Sequence, residues 1–331
     1  MAFPRSSIID LDTTPFYHVM AKCVRGSYLC GFVKETQKDY SHRKQWIVDK
    51  MMFLAQIFAI KICAYAVMSN HYHLVLFVDD VFGKSLDDKA VFERWKRVFP
   101  TDAKRYEHLS TLQKITRINL WRERLMSISW LMRCLNEDIA KRANAEDDCL
   151  GRFWAGRFKS QALLDNGAIL NTMVYVDLNP LRANIASTPE LSEFTSIQER
   201  IAHFSKQCDL FPESNDKNKY DTLPQPENLM PFLSSKHQNR NKITLPISFS
   251  DYLELVDYTA RLERNDGKAI MSDNLASIFG RIEIHKNHWG KLKPTFFSYA
   301  VGNLKKHKTF GKKKQSPPIK GASLAELCYL S

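Results

Sequence analysis

Two apolar runs, residues 61–68 and 71–78, stand in the first third of the chain, joined only by Ser69-Asn70. A connection that short between runs rich in β-branched and aromatic residues predicts a buried antiparallel hairpin. The second run opens with His71-Tyr72-His73. Successive strand side chains point to opposite faces, so the two imidazoles share one face and Tyr72 turns toward a core on the other. Two neutral imidazoles at that spacing can hold a divalent metal. The plainer alternative is a pair of ordinary histidines near a strand end, and the spacing alone does not separate the two.

The surroundings of the hairpin extend the pattern. A strand is expected over about 16–24, after Pro15. Ser41 can cap a helix running to about residue 59. Residues 83–124 are largely helical in pattern, broken at Pro100, and 129–145 is an amphipathic helix with Leu131, Leu135 and Ile139 on one side. Residues 151–164 predict a strand or strand pair. Asp165 can cap a helix over about 166–178, ended by Pro180. Strand, helix, hairpin, helices, strand, helix predicts an α+β domain with an antiparallel sheet and packed helices.

This first domain is expected over 1–190, with a helical insertion at about 82–125. A helix near 189–204 and a polar stretch at 205–241 belong to a linking region (191–249). A basic helical module (250–331) follows. The chain has 331 residues, a formal charge of +12 and 44% hydrophobic residues. Such a balance is globular and favours polyanionic partners, nucleic acid first among them. From Lys286 to Lys320 there are ten lysines and no acidic residue. Trp289, just inside that block, is better read as packing than as a stacking platform. No apolar run approaches the roughly 20 residues that a bilayer span needs. With no apolar signal core after the N-terminus, a cytoplasmic protein is expected. The seven cysteines are scattered and contain no Cys-x-x-Cys, which disfavours a zinc ribbon or a disulfide framework.

Two histidines leave a metal site incomplete. Tyr175-Val176-Asp177-Leu178-Asn179-Pro180 can supply the rest. Tyr175 and Asn179 are four apart on one predicted helix and so share a face. Ile169, Leu170, Met173, Val174 and Val176 make the opposite, apolar arc. Asp177 falls inside that arc, where it must snorkel, find a basic partner or mark a second packed face. A tyrosine beside a metal can accept a phosphoryl group. Its phenol titrates near 10, so it needs a basic or metal-assisted environment to attack. Such an attack leaves a covalent phosphotyrosine and a free 3′-hydroxyl, which keeps the bond energy for a later joining step. For Tyr175 alone, a buried core tyrosine is the plainer alternative.

Several segments together resemble one family in the same order. Met68-Ser69-Asn70-His71-Tyr72-His73-Leu74-Val75 is similar to the His-hydrophobic-His motif of HUH single-strand DNA transposases. More narrowly it resembles the REP-associated tyrosine transposases, which are IS200-like. Phe16-Tyr17-His18-Val19 with Arg25-Gly26 resembles that family's opening strand. Gly151-Arg152-Phe153-Trp154-Ala155-Gly156-Arg157-Phe158-Lys159 resembles its Trp-x-x-Arg-aromatic-Lys strand. Residues 175–183 resemble the end of its tyrosine helix.

The resemblance covers about residues 14–190. It implies a ferredoxin- or RRM-like sheet domain, His71 and His73 as metal ligands, and Tyr175 as nucleophile. It also implies Mg²⁺ or Mn²⁺, and hairpin-forming single-stranded DNA as substrate. Asn179 is the candidate third ligand. The segment at 82–125 is longer and more charged than a minimal member of that family has.

Arg152, Arg157 and Lys159 flank aromatics, a mix that suits single-stranded nucleic acid. Arg182, just past the tyrosine helix, is placed to meet a phosphate. Arg94, Lys96, Arg97, Lys104 and Arg105 read as a solvated helix face. Three functions stay open: a strand transferase working through Tyr175, as a monomer or homodimer; a non-catalytic DNA- or RNA-binding regulator; and a metal-dependent hydrolase with a water nucleophile. The absence of His-Glu-x-x-His disfavours metalloprotease chemistry.

Overall fold

A computed structural model describes residues 9–27, 29–34, 36–210, 223–234, 243–262, 271–272 and 274–282. The lysine-rich block 286–320 and Trp289 lie outside them. Strand β1 (Phe16–Lys22) comes first, then a small hairpin of β2 (Phe32–Val33) and β3 (Lys38–Asp39), then α1 (His42–Ala55). Ser41 precedes α1 with a helical backbone and gives no side-chain cap. Instead its own N–H donates to Asp39 Oδ1 at 2.9 Å.

The expected hairpin follows as β4 (Ile60–Val67) and β5 (His71–Val78). Its two-residue ladder end, Val67 opposite Tyr72, leaves no slack for another register. One bulge interrupts β4 between Ile62 and Ala64. The extra residue, Cys63, reverses the alternation. Ile60 and Ile62 before it, and Tyr65 and Val67 after it, therefore all reach the same core.

Helices fill the insertion: α2 (Asp80–Ser85), α3 (Asp88–Val98), α4 (Pro100–Glu107) and α5 (Thr111–Leu125). Each start is legible. Asp79 and Asp87 accept from backbone N–H groups, Pro100 sits in the first turn of α4, and Ser110 with Gln113 forms a capping box. Trp95 and Trp121 stack with ring centroids 5.5 Å apart and hold α3 on α5. Arg94 donates to the carbonyls of Gln56 and Ile57, so it ties the insertion to the end of α1 rather than lying on a solvated face.

Beyond α6 (Ile128–Glu146), residues 151–158 differ from expectation. Only β6 (Lys159–Ala162) is a strand there; upstream a single bridge joins Trp154 to Cys23. Phe153 and Phe158 are buried, and the Trp154 indole N–H donates to the Asn136 carbonyl. Anchoring these rings inward costs the segment its strand alternation.

The sheet is antiparallel throughout, in the order β4-β5-β1-β6, which makes the molecule α+β. One face carries Tyr17, Val19, Tyr72, Leu74 and Leu76 against α1, α5 and α6. The other carries Val75, Phe77, Ala64 and Ala66. It packs on α7 (Asn166–Asp177), which the short α8 (Asn179–Arg182) follows, and on α9 (Ser196–Leu210). The same core takes in Met230, Phe232 of β7 (Phe232–Leu233) and Leu245 of β8 (Leu245–Ser248). It also takes in Tyr252 and Leu253 of α10 (Phe249–Arg261), and Ile278 of α11 (Ile278–Arg281). No helix among the described residues is long and apolar enough to cross a membrane.

Candidate active site

Strand alternation sets the site. Tyr72 turns to the first core, where its hydroxyl donates to Asn136 Oδ1 at 2.6 Å. His71 and His73 take the opposite face, under α7. Register places Lys22 opposite His71 and Met20 opposite His73; His18 lies opposite Val75. Paired residues share a face, so His18 and Lys22 stand on the histidine face too. His18 Nε2 lies 2.9 Å from His73 Nδ1, with the two rings stacked at 5.1 Å. His71 meets His73 edge-on at 5.0 Å between centroids.

α7 brings the tyrosine. Its start is fixed by Asp165, whose carboxylate accepts from Ala168 N–H at 2.7 Å. Three turns on, the Tyr175 ring stands edge-on to His73 at 5.7 Å and to His18 at 6.5 Å. The Arg182 guanidinium sits 5.2 Å from the same ring's centroid. Residues about a hundred positions apart in sequence thus converge on one side of the sheet.

The hydrogen bonds identify which nitrogens are left over. Asn70 Nδ2 donates to the Gly26 carbonyl, which orients the amide. Its Oδ1 then faces His71 Nδ1 at 2.6 Å and can only accept, so His71 carries its proton on Nδ1 and a lone pair on Nε2. His71 Nε2 and His73 Nε2 are both buried without a hydrogen-bond partner among the described residues. Burial lowers His18 and His71 to about 4, with Lys22 adding to the effect on His71. Burial first, then the two neighbouring imidazoles, hold His73 well below the ordinary value.

All three rings are therefore neutral near pH 7. Neutral imidazoles with unused, buried Nε2 atoms are the donor set that a divalent cation takes. Among the described residues no group of three or more His, Cys, Asp or Glu is disposed to hold a metal. His18 conforms to this, because its Nε2 is turned to His73. Among the described residues the histidine cluster thus leaves two imidazole nitrogens, His71 Nε2 and His73 Nε2, for such a cation.

The other expected residues divide. Asn179 is buried at the first position of α8, and Leu178 (φ −88°, ψ 3°) separates it from α7. The single continuous helix face shared with Tyr175 is therefore broken, and among the described residues no hydrogen bond or ring contact joins Asn179 to the histidines. Lys159 lies on β6 opposite Met20, on the histidine face and exposed. Arg152 and Arg157 are exposed but sit in irregular chain, not on a strand. The aromatics between them are packed inward and offer no stacking platform.

Sequence reasoning missed His18 and Lys22 as members of the site. The signal was present: in β1 the residues at 16, 18, 20 and 22 form one face, and it carries two polar side chains that Tyr17, Val19 and Ala21 do not.

Asp177 resolves differently from Tyr175. α7 is buried nearly all round from Ile169 to Asp177, because the sheet covers one side and α10 the other. Asp177 accepts from the Ser196 hydroxyl at 2.5 Å, from Ile197 N–H at 3.1 Å and from the Tyr252 hydroxyl at 2.5 Å. Burial raises it to about 6 despite those hydrogen bonds and the Arg200 charge. Arg200, buried beside it, donates to the carbonyls of Cys63 and Met230. The Cys63 carbonyl is the one that the β4 bulge takes out of register.

No family model matches the chain, and neither does any curated protein. A solved structure of a REP-associated tyrosine transposase bound to a REP hairpin is similar over 61% of this chain and 86% of its own. It has a TM-score of 0.38 and 12% identity. The chemistry of the site rests on the residues themselves.

Proposed function

We propose that the protein cleaves and rejoins single-stranded DNA through a phosphotyrosine at Tyr175. The observation that carries this reading is the Tyr175 ring against His73, beside two buried imidazole Nε2 atoms with no hydrogen-bond partner among the described residues. A metal held by His71 and His73 would polarise the scissile phosphate and stabilise its developing charge. Mg²⁺ or Mn²⁺ suits that role, and Asn179 stays a candidate further ligand only if α8 shifts toward the histidines.

The chain's own groups do the rest. Tyr175 Oη forms the bond to phosphorus and loses its proton, while the 3′-oxygen leaves and gains one. Attack by another 3′-hydroxyl reverses the step and frees the tyrosine. Arg182 beside the phenol ring, with Lys22 and Lys159 on the same sheet face, supplies positive charge for the backbone phosphates. Arg152 and Arg157, both exposed, extend this charge along the 151–158 segment. The ordered resemblance of the motifs to REP-associated tyrosine transposases supports hairpin-forming repeats as substrate and a cytoplasmic, nucleoid-associated setting.

The test is incubation with a pool of single-stranded hairpins and Mn²⁺, followed by mapping of the covalent peptide. The expected adduct is on Tyr175, and Tyr175→Phe removes it while retaining DNA binding. An adduct on another tyrosine, or an undiminished one in the variant, overturns the proposal.

A further inference from the structure

The structure assigns a role to His18: it is the positioning residue that fixes the tautomer of His73 and so turns the His73 Nε2 lone pair into the site. This rests on the metal-site reading above and deepens it.

A hydrogen bond between two imidazoles needs one N–H and one lone pair. At 2.9 Å between His18 Nε2 and His73 Nδ1 there are two arrangements. In one, His73 Nδ1–H donates to His18, and His73 Nε2 keeps a lone pair. In the other, His18 donates and the His73 Nε2 proton points into the buried site with no acceptor. Orphaned buried N–H groups are rarer in proteins than unused acceptor lone pairs, a rule drawn from backbone groups and applied here to the ring.

The neighbouring ring favours the first arrangement. The Asn70 amide, itself held by Gly26, already fixes His71 as Nδ1–H with a lone pair on Nε2. With His73 in the same tautomer, both rings present the same kind of atom, as a shared cation requires. Each is then oriented by a hydrogen bond on its far nitrogen, Asn70 behind His71 and His18 behind His73, which is the usual outer-shell support of ligating histidines. Strand geometry makes this possible: His18 and His73 are diagonal neighbours across β1 and β5, close enough for the rings to stack.

The test uses the full chain. Two-bond ¹H–¹⁵N spectra of ¹⁵N-histidine protein, without metal, read which His73 nitrogen carries the proton. Mn²⁺ titration then compares wild type, His18→Gln and His18→Phe. Glutamine places an acceptor oxygen where Nε2 stood; phenylalanine fills the space without one. Expected are Nδ1–H on His73, Mn²⁺ affinity within a few-fold of wild type for His18→Gln, and a loss of roughly 10–100-fold for His18→Phe.

An Nε2–H form of His73 in the wild type overturns the assignment, and so does equal affinity in the two variants. If His18→Phe does not fold, the wild-type tautomer and the glutamine rescue still decide. A wild type with Nδ1–H on His73 that binds Mn²⁺ but forms no tyrosine adduct supports the role of His18 and overturns the strand-transfer reading alone.

Discussion

Tyr175 and Asp177 stand two residues apart on α7 and enter two buried polar clusters of opposite character. Tyr175 meets His18 and His73, and among the described residues Nε2 of His73 and of the adjoining His71 have no hydrogen-bond partner. Asp177 meets Ser196, Ile197 and Tyr252, and each of those donors is satisfied. Its cluster ties α7 to α9 and α10 and has one orphan, Arg200 Nη1. Unsatisfied buried polar atoms cost stability, and two of them on adjacent rings of one site call for an explanation, which a bound cation supplies on the proposed reading. On the proposed reading, the difference between the clusters separates a place that binds from a place that holds. Holding serves binding here, because Asp177 anchors the last turn of the helix that presents Tyr175.

The largest expected effect breaks the holding cluster. Asp177→Ala removes one acceptor from two hydroxyls and an amide and takes away the carboxylate that contributes most to offsetting the buried Arg200 charge. A loss of about 3–5 kcal/mol in urea unfolding is expected. A loss under about 1 kcal/mol would mean that Asp177 does not anchor α7.

Next comes the pH dependence of the same residue. Its folded value is raised to about 6, above the ordinary 3.8. A raised value contributes stability that is fully present below 3.8 and lost as pH rises through 6. Asp177→Asn cannot take up that proton. Its deficit against wild type should therefore widen as pH falls from 7 toward 4, by at most about 1.4 kcal/mol per pH unit. Parallel unfolding profiles for the two proteins would contradict the burial of an ionised carboxylate there.

The binding cluster should respond the other way. His71→Leu removes one unpartnered nitrogen and one part-buried hydrogen bond to Asn70, so metal-free stability should fall by no more than about 1.5 kcal/mol. Mn²⁺-dependent adduct formation should disappear. A large loss of stability with binding intact would make the histidines part of the core and erase the contrast.

How much of this was legible depends on how local the cause is. The hairpin, the histidine face and the start of α7 were readable, because a two-residue loop, strand alternation and Asp165 each act within a few residues. Asp177 was legible as a misfit in an apolar arc, but its partners lie 19 and 75 residues away and no local pattern names them. His18 illustrates the same limit. Its hydrogen bond spans 55 residues, and only the register between β1 and β5 puts it beside His73. The segment 151–158 misled because alternating basic and aromatic residues look like a strand. Burial of Phe153, Phe158 and the Trp154 indole decided its path instead, leaving Arg152 and Arg157 on irregular chain.

The smallest effects concern the arginines and sharpen the same division. Arg182 lies over the Tyr175 ring, while Arg157 is exposed in the irregular segment. On the proposed reading, replacing either by Gln removes a cation from the path of the DNA backbone, so each should weaken single-strand binding and reduce the salt slope by about 1. Only Arg182→Gln should also slow adduct formation at saturating DNA, because its charge stands beside the phenol ring proposed as nucleophile. Single-turnover rates measured across a salt series distinguish the two. Equal slowing in both variants would make Arg182 one more phosphate contact and leave the histidines alone to set up the tyrosine.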